Sequence, residues 1–312
     1  MRHLIAGGPL RRLELHVVRR LDGLLQGDHL GLVPGPGSEP GEARPYLAGD
    51  DVRRMDWNVT ARLTEPHVRD LIADRELETW VLLDATASMD FGTGRMEKRE
   101  LALAAVAAIG FLTGRGGNRI GAHILCGGAG GSRVVPARAG RAHLLALLHA
   151  VHTLPRAAPA ERPEPLGGHA ARLAGVLRRR GLVVVVSDFL DEPGTWERPL
   201  AGLAARHRLL AVEVLDPREL TLPDVGVLTL TDPETGGRRE VSTADPRLRE
   251  RYAAAAGEQR RAVRAALRRA GASHLRLRTD RDWVTDLVRQ VIDQRRLAAA
   301  QRSGARHRGG AG

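Results

Sequence analysis

Val81-Leu82-Leu83-Asp84-Ala85-Thr86-Ala87-Ser88-Met89-Asp90 is an apolar run that ends in an aspartate and continues with a hydroxyl at every second position. In an extended chain, alternate side chains point the same way. Asp84, Thr86 and Ser88 are therefore expected to converge on one point just beyond a strand. One carboxylate and two hydroxyls are hard oxygen donors of the kind that suit Mg²⁺. A strand-end carboxylate of this kind is expected to be solvated.

Two other readings compete for the same residues. Phosphatase chemistry of the haloacid dehalogenase type needs a second Asp two residues after the first, as acid and base beside the nucleophile. Thr86 stands there instead. A plain strand-to-helix turn needs only that Thr86 or Ser88 cap a helix.

Strand and helix alternate on the C-terminal side of this stretch. Residues 77–84 read as a buried strand, Gly94–Gly114 as a helix, Arg119–Cys126 and Ser132–Arg138 as strands, and Arg141–His152 as a helix. A Pro-rich loop, Pro155–Pro165, precedes a helix over His169–Arg180. Leu182–Val186 is a continuous β-branched run of the kind found in central parallel strands. A helix at Trp196–Arg206 and a strand at Leu209–Val214 follow. Val227–Leu230 and Arg239–Val241 form a hairpin, and a long Arg/Ala helix spans Asp245–Ala270. A strand (His274–Leu277) and a helix (Trp283–Arg295) close the fold. The alternation predicts an α/β architecture, a mostly parallel sheet with helices on both faces. Gly127-Gly128-Ala129-Gly130-Gly131 joins two strands and lacks the Lys of a phosphate-binding loop.

On the N-terminal side, Leu13, Val17, Leu21 and Leu24 mark a helix over Leu10–Gln26, followed by a Gly/Pro loop from Gly31 to Gly41 and a charge-dense block from Arg44 to Arg75. The expected division is an N-terminal extension over 1–74, a main domain over 75–296 and a disordered Ala/Gly/Arg tail over 297–312.

The chain has 312 residues, 43% of them hydrophobic and only 3% aromatic, so its core must be mostly Leu, Val and Ala. The single cysteine, Cys126, cannot form an internal disulfide and points to a reducing, cytoplasmic setting. No signal core stands at the N-terminus, and no apolar segment is long enough for a membrane span. The net charge is +11, and of the 48 Lys and Arg residues only Lys98 is lysine. A basic balance normally raises nucleic-acid binding. With so few stacking aromatics, no specific nucleic-acid partner is expected.

In an open α/β sheet, ligands bind beyond the carboxyl ends of the strands. Ser187-Asp188-Phe189 follows the Leu182–Val186 run, so Asp188 is expected on the same edge as Asp84. Asp84, Thr86, Ser88 and Asp188 together make a candidate cation site.

The pattern Asp84-x-Thr86-x-Ser88 with the later Ser187-Asp188 resembles the metal-ion-dependent adhesion site of von Willebrand factor A-type domains. The block Tyr46-Leu47-Ala48-Gly49-Asp50-Asp51-Val52-Arg53-Arg54-Met55-Asp56-Trp57-Asn58-Val59-Thr60-Ala61-Arg62 resembles the hallmark of the bacterial family called domain of unknown function 58. So does the order that follows it: Asp74-Arg75-Glu76, the Asp84 block, then Phe91-Gly92. The resemblance implies a von Willebrand A-like domain with an N-terminal extension. It also implies a MoxR-type AAA+ ATPase as partner, and a role in maturing or assembling a client protein rather than catalysis. Such sites usually take a further Thr from a Gly-Thr-Asp-like loop. Leu166-Gly167-Gly168-His169-Ala170 occupies that region, so His169 is expected to open the helix and a water to complete a weak Mg²⁺ site.

Within the signature block, Asp50 and Asp51 suit backbone capping. Arg53, Arg54 and Arg62 suit pairing with Asp56, Asp74 or Glu76, and Trp57 is expected to anchor the extension on the main domain. Asp50, Asp51, Arg53, Asp56 and Trp57 are equally candidates for a partner-docking surface. A metal-dependent hydrolase acting on a phosphorylated substrate is the enzymatic alternative. It lacks a nucleophile, and His123, His143 and His169 are scattered singly.

Overall fold

The computed structural model describes residues 43–46, 55, 57–63, 65–69, 78–114, 118–127, 131–156, 164–232 and 235–289. The expected helix over Leu10–Gln26, the Gly31–Gly41 loop and the tail from Leu297 lie outside them. So do Asp50, Asp51, Arg53, Arg54, Asp56 and Asp74-Arg75-Glu76.

A short antiparallel pair, β1 (Ala43–Pro45) and β2 (His67–Arg69), flanks helix α1 (Trp57–Leu63). The main sheet begins with β3 (Glu78–Ala85). A 3₁₀ turn over Ala87–Asp90 leads to α2 (Lys98–Thr113), β4 (Arg119–Cys126), β5 (Ser132–Ala139) and α3 (Arg141–His152). Then come α4 (Leu166–Val176), β6 (Gly181–Ser187), α5 (Pro193–Ala204), β7 (Arg208–Leu215) and a 3₁₀ turn at Pro217–Glu219. The hairpin β8 (Val227–Thr231) and β9 (Arg238–Ser242), α6 (Pro246–Arg269) and β10 (Ser273–Arg278) follow. A last helix, α7, occupies residues 283–289 of the described chain.

The six-stranded sheet has the order β10-β7-β6-β3-β4-β5, and every pair is parallel except β4 with β5. The mostly parallel α/β fold expected from the alternation is therefore present. The antiparallel edge arises because the glycine-rich Gly127–Gly131 connection is too short for a crossover. From β3 the chain steps to β4 on one side and later returns to β6 on the other. The crevice between β3 and β6 is thus the topological switch point of the sheet.

Each face of the sheet buries its own apolar layer. Val81, Leu83, Ile120, Ile124, Val184 and Val212 pack with α2, α3 and α7. Trp80, Leu82, Val183, Val185 and Leu209 pack with α4, α5 and α6. Residues buried on both faces explain why β6 reads as an unbroken Val run. The core is Leu, Val and Ala with a few aromatics, among them Trp80, Phe189, Trp196 and Trp283.

Three helix boundaries differ from the sequence reading. α2 starts at Lys98 rather than Gly94, because Glu97 and Glu100 form a capping box there. α4 starts at Leu166, whose N–H is accepted by Asp191 at 3.1 Å, and ends at Val176 rather than Arg180. His169 therefore lies inside the helix and does not open it. α5 starts at Pro193, which suits the first turn of a helix. α4 and α5 meet closely at Gly167, where an added Cβ would stand 2.0 Å from the Thr195 carbonyl oxygen.

Candidate functional site

Leu83 pairs with Val186 across β3 and β6, so Asp84 and Ser187 leave the sheet side by side, with Asp188 next in line. This places Asp84 and Asp188 together at the switch point, as expected. Thr86 and Ser88 join them by a different route from the pleat. The strand ends at Ala85, Thr86 stays extended, and Ser88 sits in the 3₁₀ turn, with Met89 fully buried beneath it. Thr86 holds the N-cap position of that turn but makes no side-chain cap bond. Its hydroxyl donates to Asp84 Oδ1 at 2.7 Å, its N–H donates to the same oxygen at 3.0 Å, and its Oγ1 is 3.2 Å from Ser88 Oγ. Ser88 in turn hydrogen-bonds Asp188. Ser187 Oγ donates to Asp84 Oδ2 at 2.7 Å and belongs to the same cluster.

The carboxylates are not solvated, which corrects the expectation for Asp84. Asp84 is 8% exposed and Asp188 2%. Burial, together with the neighbouring Asp188 charge, pushes the Asp84 carboxyl up to about 6. Burial opposes ionisation of Asp188 too, yet the adjacent Lys98 ammonium holds its carboxyl below the usual range.

Lys98 begins α2 and is fully buried. Its Nζ donates to Asp188 Oδ2 at 2.7 Å and also to Glu219 Oε1 from the 3₁₀ turn after β7. Burial disfavours the ammonium, but the two carboxylates outweigh that and raise its pKa. Lys98 and Glu219 were not singled out in the sequence as site residues. The available signal was that Lys98 is the only lysine in an arginine-rich chain.

A supporting layer fixes this group in place. Asp216, at the end of β7, accepts Thr93 N–H at 2.7 Å, Thr93 Oγ1 at 2.6 Å, Thr279 Oγ1 at 2.7 Å and Arg218 N–H at 2.9 Å. Arg95 N–H donates to the Thr279 carbonyl at 2.9 Å, so the segment from Phe91 to Glu97 is tied to the ends of β7 and β10. Phe189, which is buried, adopts a φ of 52°, a left-handed conformation unusual for an aromatic residue. Arg260 of α6 clamps that turn by donating to the Asp188 carbonyl at 2.7 Å and to buried Glu213 at 2.9 Å. Glu213 also faces His274 Nε2 at 2.9 Å.

His169 is engaged elsewhere. Its Nδ1 lies 3.2 Å from His123 Nε2 and 3.1 Å from Arg172, and its Nε2 faces Glu164 at 3.7 Å. Burial, reinforced by the Arg172 charge, pushes the His169 imidazole down to about 4. His143 Nε2 is 3.0 Å from the Ile120 carbonyl. In the signature block, Trp57 is 70% exposed, so it does not anchor the extension as expected. A first-turn position on a seven-residue helix leaves its indole facing solvent.

The donor set fits a small hard cation. Asp84 and Asp188 supply carboxylates, and Thr86, Ser88 and Ser187 supply hydroxyls. Among the described residues the Lys98 ammonium is the cation paired with the Asp188 and Glu219 side chains, and no ion pair reaches Asp84, so carboxylates outnumber the cations paired with them. Among the described residues no cluster of three or more His, Cys, Asp or Glu has the arrangement of a metal site, so hydroxyls and water would have to complete the shell.

In overall fold the chain is similar to BatB from Bacteroides thetaiotaomicron, at 9% identity and a TM-score of 0.45, over 70% of this chain and 99% of that one. It is also similar to an aerotolerance-related membrane protein from Bacteroides fragilis, at 12% identity and a TM-score of 0.47, over 70% and 98% of the two chains. The von Willebrand A domain of SpRpn10 matches at 14% identity and a TM-score of 0.38, over 69% and 94%. No helix among the described residues is long and apolar enough to cross a membrane. In sequence, an uncharacterized protein of Mycobacterium tuberculosis is 56% identical over 291 residues, covering 93% of this chain and 90% of its own length. An uncharacterized protein of Mycobacterium avium is 48% identical over 172 residues, covering 54% and 98%. The family described as protein of unknown function DUF58 matches residues 42–262, and the chain belongs to it.

Proposed function

We propose that this protein is a non-catalytic, protein-binding adaptor whose switch-point site docks a partner through a divalent cation. The observation that carries the reading is the convergence of Asp84, Thr86, Ser88, Ser187 and Asp188 at two adjacent strand ends, with more carboxylate charge than Lys98 balances. Mg²⁺ held by Asp84, with Asp188 and the hydroxyls around it, would supply the charge that attracts an acidic side chain of the partner. The site's own residues would orient the cation and leave a position toward solvent. The histidines that a hydrolase reading would use as base, His123, His143 and His169, are each engaged away from Asp84 and Asp188, which favours the binding reading.

The family resemblance points to a MoxR-type AAA+ ATPase as the partner, with a client protein as the object of their joint action. Exposed Trp57 suits a second contact on the N-terminal block, since large aromatics are enriched at interaction hot spots. The test is binding of the full chain to a MoxR-type ATPase from the same organism, measured in Mg²⁺ and in EDTA. Binding that persists unchanged in EDTA, and in Asp84→Asn, would sink the cation-mediated reading.

A further inference from the structure

Of the 48 basic residues other than histidine, 47 are arginine, so this chain uses lysine only where something demands it. The single exception is fully buried at the heart of the site. Its Nζ touches Asp188 at 2.7 Å and Glu219 besides, two carboxylates that approach from the end of β6 and from the 3₁₀ turn after β7. An arginine presents a broad planar fork that needs coplanar acceptors, whereas an ammonium is a compact point charge with three tetrahedral donors. A closed space between two converging carboxylates suits the ammonium. The position at the first residue of α2, behind the Glu97 and Glu100 capping box, sets where the long side chain starts. The Phe91 ring, 5.9 Å from Nζ, lies along its path.

Lys98 thus stands in for half of what a divalent cation would provide. It neutralises Asp188 and bridges β6 to the turn after β7 while the Asp84 side keeps its uncompensated charge. Glu219 offers the ammonium a second home that does not involve Asp188. We infer that Lys98 is the charge-setting residue of this site: it holds Asp188 when no metal is bound, a divalent cation must share Asp188 with it, and its ammonium keeps cation affinity low. The inference rests on the cation reading of the site and adds to it the residue that sets how tightly the site binds. Lys98 acts through Asp188 and is a positioning residue, buried too deeply to touch a partner.

The test uses the full chain and Mn²⁺ or Mg²⁺ as the probe. Mn²⁺ affinity by electron paramagnetic resonance, and Mg²⁺ affinity by calorimetry, are measured for wild type, Lys98→Met, Lys98→Gln and Glu219→Gln. Thermal unfolding with and without the cation is the second readout. Lys98→Met and Lys98→Gln are expected to bind at least tenfold tighter than wild type and to gain a larger cation-dependent rise in Tm. Glu219→Gln, which confines the ammonium to Asp188, is expected to bind more weakly and keeps the test available if the Lys98 variants do not fold. Wild-type binding with unchanged or weaker affinity in folded Lys98 variants, or no loss in Glu219→Gln, overturns the role of Lys98 alone. No cation binding by wild type or any folded variant overturns the cation reading and this inference with it.

Discussion

Ser187 Oγ donates to Asp84 Oδ2 at 2.7 Å, joining the end of β6 to the end of β3 across the switch point of the sheet. With the two bonds from Thr86, every oxygen of the Asp84 carboxyl has a donor, yet among the described residues no basic side chain forms an ion pair with it. Hydrogen bonds position this carboxylate; they do not neutralise it.

Asp84→Asn is therefore expected to keep the fold and to raise stability at neutral pH while removing cation binding. The folded carboxyl, pushed up to about 6, lies above the ordinary aspartate value of 3.8. A raised carboxyl pKa means that its contribution is fully favourable below about pH 4 and is lost as pH rises through about 6. At pH 7.5 the buried charge costs on the order of 1–3 kcal/mol, at 1.36 kcal/mol per pKa unit. Thermal unfolding from pH 4 to 8 should show the wild type falling relative to Asp84→Asn across that window. Parallel curves would remove the physical basis assigned to the site. Asp84→Ala is the poorer probe, because it strands the Thr86 and Ser187 donors, at about 1–3 kcal/mol for each buried group left unmade.

The buried histidine pair has the opposite consequence. The His169 imidazole is held down to about 4, against an ordinary 6.5, first by burial and then by Arg172. The unfolded chain takes up a proton on this residue before the folded one does, so stability is lost as pH falls from 6.5 toward 4. His169→Gln is expected to flatten that part of the curve without altering metal affinity. Unfolding midpoints measured from pH 4.5 to 7.5 for both proteins check it. An unchanged acid slope in the variant would move the responsibility to other groups.

Much of this architecture is legible in the sequence, and the reasons differ by element. β4 and α3 match their expected bounds because apolar spacing and a following turn mark both ends. β6 is plain because burial on both faces makes it a solid Val run. The strand-end carboxylates follow from the rule that ligands gather at such ends. What stayed hidden depends on long-range contact. The segment before α2 is held by Asp216, more than a hundred residues on, which accepts from Thr93, while the Glu97 and Glu100 capping box sets the helix start at Lys98. The Lys98 contacts with Asp188 and Glu219, and the meeting of His123 with His169, pair residues on separate elements that no local pattern links.

That pinning by Asp216 is testable directly. Asp216 is fully buried and accepts four hydrogen bonds from Thr93, Thr279 and Arg218. Asp216→Ala is expected to cost about 3 kcal/mol or more, since bonds to a charged acceptor are worth ~1.5–3 kcal/mol each and are not additive. The loss should be local first. Hydrogen exchange at the amides of residues 92–97 is expected to accelerate well before global unfolding. Exchange there no faster than in wild type would show that the segment is held by other contacts.

The basic charge predicts binding without sequence preference. Arg178, Arg180, Arg206 and Arg208 are exposed at the entries to β6 and β7, and the segments 178–180 and 206–208 that carry them hold no Phe, Tyr or Trp. Leu182 pairs with Arg208 across those strands, so the segments carrying these charges lie next to each other. Guanidinium groups without stacking partners read phosphate, not base. Duplex DNA and single-stranded RNA are both expected to bind at about 10⁻⁴ to 10⁻⁶ M at physiological salt. Affinity should fall steeply as salt rises and should not change when the nucleotide sequence is shuffled. Replacing Arg178, Arg180, Arg206 and Arg208 by Gln should weaken binding to every sequence alike and flatten the salt dependence. Submicromolar, sequence-dependent binding at physiological salt would instead make nucleic acid a specific partner of this protein, and the adaptor reading would then have to give way.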